Sequence, residues 1–220
     1  MSLPPQVCRI AGVAGNQYLI LEPGDLTLVD TGLRGNHKKV LQAIANLGFR
    51  PPDLRRILIT HADGDHYGAL NPLCAATGAR VYASPLEANA IRYGTSSREL
   101  RPAGLARIAF ALAGLLIRSE PATVDEALLP GARLPLLDGL DVLDTSGHTP
   151  GHLSFYSAST GVLFAGDSIV IHGQALGPSV GANTWDVERA RRALDMQEAL
   201  RPSFICAGHG YWEEEGAQPA

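Results

Sequence analysis

Four side chains able to bind metal fall within six residues: His61, Asp63, Asp65 and His66, in the stretch Thr60-His61-Ala62-Asp63-Gly64-Asp65-His66. Imidazole nitrogens and carboxylate oxygens are common donors to zinc and related divalent ions. Four of them exceed the three protein ligands that a catalytic tetrahedral ion takes beside its open position, so the stretch points to two adjacent ions and to metal-assisted chemistry. The plainer reading is a solvated Asp-Gly-Asp turn with structural histidines. Against it stands the apolar run Arg56-Ile57-Leu58-Ile59, which reads as a buried strand entering the cluster. Residues 68–73 read as the start of a short helix, which places the donors on a strand-to-helix turn, where open α/β sheets carry their chemistry. In an extended turn, side chains 61, 63 and 65 point to one side and His66 swings toward a neighbouring ion.

Three further donors follow apolar runs. His148 lies in Asp144-Thr145-Ser146-Gly147-His148-Thr149-Pro150-Gly151-His152, Asp167 in Gly166-Asp167-Ser168, and His209 in Gly208-His209-Gly210. The candidate ligands are therefore His61, Asp63, Asp65, His66, His148, Asp167 and His209. Asp65 and Asp167 are also candidates for moving a proton, secondary to their ligand roles. Asp30, in Asp30-Thr31-Gly32, is either a turn former or a carboxylate that orients a ligand from behind. His152 reads as such an orienting residue rather than a ligand. His172 faces either substrate or solvent. Tyr67 reads as packing, with donation to a developing oxyanion as the alternative. Cys206 reads as a buried strand residue.

The elements that must position these turns alternate along the chain. Strands are expected at 7–11, 18–21, 26–29, 56–59, 80–83, 140–143, 153–156, 162–165, 169–171 and 204–207. Asn36 is placed to cap a helix running to about Leu47, with Val40, Leu41, Ile44 and Leu47 on its apolar face and Gly48 as its stop; His37 in its first turn reads as solvated. Further helices are expected to about Ala76, at 85–93 behind Pro85, and at 187–200 behind Asp186. Residues 94–135 interrupt this rhythm: 100–117 has a helical pattern that is apolar almost all round. This segment is either an ordinary buried helix or a lid over the metal turn, and its 104–117 part is the candidate surface for a homodimer. The tail from Glu213 onward reads as frayed.

With 220 residues, 45% apolar and 18% charged, the chain suits one domain with a substantial core. A net charge of −4 argues against a nucleic-acid partner. The longest apolar run, 108–117, is too short to span a bilayer, which needs about 20 residues. Three cysteines without CxxC spacing, and an N-terminus without a basic then apolar signal, fit a reducing cytoplasm.

Taken in order, Asp30-Thr31-Gly32, Thr60 to His66, Gly147 to His152, Ala165-Gly166-Asp167 and Gly208-His209 resemble the metallo-β-lactamase superfamily. The resemblance implies an α/β fold: a four-layer αββα sandwich, here with a helical lid-like insertion around 94–135. It implies two divalent ions, zinc first. His61, Asp63 and His148 would hold one, Asp65, His66 and His209 the other, and Asp167 would bridge them with a hydroxide between. The chain departs from the commoner pattern, which has His at the place of Asp63. A carboxylate is harder than imidazole and favours iron or manganese. Two divalent ions, three carboxylates and a hydroxide would leave a neutral centre.

The implied function is hydrolysis of an ester, lactone, thioester, amide or phosphoester bond in a partly apolar small molecule. Arg98, Arg101 or Arg107 are candidates to meet an anionic group on it. An iron-dependent redox centre, motivated by Asp63, is the alternative, and a binding module without turnover is the third reading. Glyoxalase II-like relatives carry an added helical domain, and nucleic-acid-processing relatives a large insertion; neither is expected here.

Overall fold

The computed structural model describes residues 3–98 and 120–214. Two six-stranded sheets face each other. The first has the order β1-β2-β3-β4-β5-β6, from β1 (Val7–Ile10), β2 (Gln17–Glu22), β3 (Asp25–Val29), β4 (Leu54–Leu58), β5 (Arg80–Ala83) and β6 (Glu126–Ala127). It begins as an antiparallel meander and turns parallel from β3 onward, where helices make the crossovers. These are α1 (His37–Asn46), α2 (Gly64–Tyr67) with α3 (Leu70–Thr77), and α4 (Pro85–Tyr93). The second sheet contains β7 (Arg133–Leu134), β8 (Leu140–Asp144), β9 (Leu153–Ser157), β10 (Val162–Gly166), β13 (Phe204–Ala207) and β14 (Trp212–Glu213). Between β10 and β13 come a separate hairpin, β11 (Ile169–His172) with β12 (Ala175–Pro178), and the helix α5 (Val187–Ala199).

Side-chain alternation builds the layers. Leu19 of β2 and Ile57 of β4 point outward, to a core shared with Val40 and Ile44 of α1, Leu73 of α3 and Ile91 of α4. Their neighbours Ile20 and Leu58 point inward, to Phe155, Phe164 and Phe204 of the second sheet. That sheet turns Leu163 and Ile205 outward again, against Leu194 of α5. Three apolar cores between four layers are the expected αββα sandwich. Because both faces of these strands are covered, they read as continuous apolar runs.

Several local expectations are corrected. Asn36 stands at the N-cap of α1, but its side chain donates instead to Gln17 and to the Thr31 carbonyl. His37 is half-buried with Nδ1 shielded, not solvated. The Glu213 backbone pairs with Phe204 in β14 rather than fraying. Of the expected helical insertion around 94–135, residues 99–119 lie outside the described part, including the 104–117 surface. Residues 120–135 are not helical: they carry β6 to the edge of one sheet and β7 to the edge of the other, and so make the crossover between sheets. No helix among the described residues is long and apolar enough to cross a membrane.

Phe164 is fully buried between the sheets, edge-on to Tyr18 with ring centroids 5.8 Å apart. Phe164→Ala is expected to cost about 3–5 kcal/mol, read as a lowered urea midpoint without a change in the slope of the transition.

Candidate metal centre

The turns after β4, β8, β10 and β13 meet at one end of the sandwich and bring all seven sequence-derived candidates together. The stretch after β4 is extended through Asp63 (φ −90°, ψ 147°), then winds into α2 at Gly64. The expected alternation therefore holds for His61 and Asp63 but not for Asp65, which leaves that row and turns with His66 toward His209. Three overlapping groups result: His61 with Asp63 and His148, Asp65 with His66 and His209, and His61 with His66 and Asp167. In the first, Asp63 Oδ2 lies 3.2 Å from His148 Nε2 and 3.5 Å from His61 Nε2. In the second, Asp65 Oδ2 lies 3.3 Å from His209 Nε2 and 4.0 Å from His66 Nε2. Asp167 stands between them: Oδ1 is 3.3 Å from His66 Nε2, and Oδ2 is 3.2 Å from His209 Nε2 and 3.7 Å from His148 Nε2.

Each inner histidine is aimed by a bond to its rear nitrogen. Thr60 Oγ1 lies 3.0 Å from His61 Nδ1, Asp30 Oδ2 2.8 Å from His66 Nδ1, and Ser179 Oγ 2.8 Å from His148 Nδ1. All three Nε2 atoms then face the centre, the usual arrangement behind metal-binding imidazoles. Asp30 is thus the orienting carboxylate. It also accepts from the backbone and hydroxyl of Thr60, bonds that hold it at a positive φ of 58°. His152 is buried, and its Nε2 accepts from the Asp167 backbone at 3.1 Å, so it positions Asp167. Tyr67 is buried in the outer core and His172 is exposed on β11. Two glycines let the backbone close in. A Cβ on Gly208 would lie 2.2 Å from Asp167 Oδ1, and Gly166 has φ +53° with no room for one beside His152.

Two residues behind the site have roles that sequence reasoning missed. Glu87 is fully buried on α4 and accepts from Ala62 N, Gly151 N and the hydroxyls of Thr149 and Ser97, so it ties the turn after β4 to the turn after β8. Its spacing from Ser84 is that of a capping box, a local signal that hides the long-range role. Arg98 is buried and grips Asp63 through both carboxylate oxygens, at 2.9 and 2.6 Å. It therefore does not stand free to meet a substrate anion, as the sequence reading expects; Arg101 and Arg107 lie outside the described residues.

The chemistry of the set fits divalent ions. His61 Nε2, His66 Nε2 and Asp167 Oδ1 are buried without a hydrogen-bond partner, where buried polar atoms are almost always satisfied. Three such atoms, converging from the turns after β4 and β10, leave a place that a cation satisfies. Without one, protons take part of its role. Bonds to Asp167 and Asp65 raise His209 from 6.5 to about 10. Burial pulls His66 down, but the charges of Asp167 and Asp30 outweigh it and hold it well above its ordinary value. Burial would raise Asp167 and Asp63. His66 and His209 bring Asp167 well below the usual range, and His148, His61 and Arg98 do so for Asp63.

The profile of the metallo-beta-lactamase superfamily matches residues 10–209, and the chain belongs to that family. It is 32% identical over 204 residues to the uncharacterized protein YobT of Bacillus subtilis, covering 89% of this chain and 82% of that one. It is 31% identical to a hydroxyacylglutathione hydrolase of Fuscovulum blasticum over 78% of this chain, and spans only 53% of that relative's length. Among solved structures, a metallo-beta-lactamase of Cronobacter sakazakii with a HARLDQ motif superposes with a TM-score of 0.73 at 28% identity, covering 96% of this chain and 77% of that one.

Two outcomes follow from the geometry. A raised imidazole stabilises the folded state fully below 6.5, and that contribution is lost as the pH climbs through about 10. The Tm of metal-free protein should fall across this window. Zinc affinity, measured by chelator competition, should rise across it, because the ion displaces the proton. Glu87→Ala strands four donors and is expected to cost about 3 kcal/mol, measured by denaturant unfolding of the metal-free chain.

Proposed function

We propose that the chain is a metal-dependent hydrolase with a dinuclear centre, acting on an ester, lactone, thioester or related bond of a small molecule. The observation that carries this reading is the position of Asp167, whose two oxygens face both donor groups. Zinc is the metal we assign first. A pair of divalent ions held there supplies water ionised near neutral pH and a Lewis acid for the oxygen under attack. The chain's own residues do the rest. Asp30, Thr60 and Ser179 keep the three inner imidazoles aimed, and His152 keeps Asp167 in place. Asp65 is partly open to solvent and bonded to His209, which suits it to carry a proton away from the reacting centre.

Support for an apolar substrate comes from the rim. The loop before β2 packs beside Asp65 through Gly15 and carries Val13 fully exposed. On the other side, Trp185 donates its backbone N–H to the His148 carbonyl and leaves its ring half-exposed. The relatives named hydroxyacylglutathione hydrolase keep thioesters within the substrate class. The three free cysteines fit a cytoplasmic protein. The iron-dependent redox reading rests on Asp63, and the pairing of that carboxylate with Arg98 weakens it.

Metal content by mass spectrometry should approach two zinc ions per chain, and a lactone, ester and thioester screen should find turnover. Asp65→Ala should lower that turnover about a hundredfold or more. Full activity in this variant overturns the mechanism, and iron as the dominant metal moves the assignment to redox chemistry.

A further inference from the structure

Asp63 occupies a position where the commoner family pattern has a neutral imidazole, yet it carries a charge into a nearly buried site. The structure meets that charge with Arg98. Its side chain is 3% exposed, less than that of Asp63 at 18%, and no other described residue accepts a hydrogen bond from it. The fork uses one lone pair on each carboxylate oxygen, the planar geometry in which Arg binds carboxylates most strongly. Oδ2 keeps a second lone pair, and that oxygen is the one facing His61 Nε2 and His148 Nε2. The segment bearing Arg98 is anchored in turn: Ser97 donates to Glu87, the same carboxylate that holds the Ala62 backbone at 2.8 Å. Arg98 and Asp63 are thus set from one buried support.

We infer that Arg98 is a positioning residue for the metal, and that the Asp63–Arg98 pair acts as one electrically neutral, single-oxygen ligand in place of an imidazole. This rests on the metal-centre reading above. Three carboxylates and one guanidinium leave two net negative charges around the ions, the same as in a centre with His at position 63. Asp63 taken alone would make the centre neutral and favour iron or manganese, and its guanidinium partner offsets both effects. A carboxylate attracts a hard ion through its charge. With that charge already shared by a guanidinium, manganese loses more than zinc does, whose bonds to His61 and His148 remain. The first site is thereby returned to a zinc preference without an imidazole at residue 63.

The test is a double-mutant cycle on the full chain, with Asp63→His, Arg98→Gln and the double variant. Two quantities are read: the Tm of the metal-free protein, and the dissociation constants for zinc and manganese from chelator competition. Asp63→His alone leaves a buried guanidinium without its partner, so its metal-free Tm should fall, and adding Arg98→Gln should restore much of it. Arg98→Gln alone should shift the zinc-over-manganese preference toward manganese by about tenfold or more, the scale on which partners behind metal ligands act. Arg98→Lys keeps the charge without the fork and separates charge from orientation: a preserved preference assigns the effect to charge, and a lost one to the fork. An unchanged preference in both Arg98→Gln and Arg98→Lys, with zinc still bound, overturns the role of Arg98 alone. A wild-type chain that binds neither metal overturns the centre itself.

Discussion

Asp63, Asp65 and Asp167 lie within one small volume at the end of a sandwich, largely withdrawn from water. Carboxylates so placed repel one another and lose hydration, so the arrangement persists only if positive charge and donors stand among them. Much of the local structure answers this constraint. Arg98 meets Asp63, while His66 and His209 meet Asp65 and Asp167. Behind them, Asp30 and Glu87 are buried carboxylates that are themselves satisfied by hydroxyls, backbone N–H groups and an imidazole. The ions that the donor set fits would supply the remaining charge.

The sandwich holds the site still. The inner strands β2, β3, β9, β10 and β13 are covered on both faces, and the three cores leave the sheets little freedom to slide. The ligand turns leave the ends of β4, β8, β10 and β13, so their relative positions are those of the strands. Glu87 adds a link that no strand provides, since it joins a turn of the first sheet to a turn of the second through side chain and backbone. The ligand cluster is therefore a property of both sheets at once.

Position 63 shows how a change within a family pattern is absorbed. A carboxylate there, taken alone, alters the charge and hardness of the ligand set. Its guanidinium partner comes from the loop after α4, thirty-five residues further along the chain. The carboxylate and its guanidinium partner thus lie on different elements, joined only by the fold.

The sequence by itself determined which donor residues gather at the candidate centre, their order and most of the strands and helices that carry them. The reason is local: apolar periodicity reports which faces are buried, and donor residues at strand ends report where chemistry can gather. Helix α4 matched its expected bounds, and α3 ended at Thr77, one residue beyond the expected Ala76. Tertiary structure decided what periodicity does not encode. It parted Asp65 from His61 and Asp63 through the helical turn at Gly64, and made residues 120–135 a crossover between sheets. It brought Arg98 to Asp63, and it turned Glu87 from a helix cap into a clamp between sheets. Each of these depends on which elements face one another across the fold, a relation set by packing between distant segments and absent from any local pattern of residues.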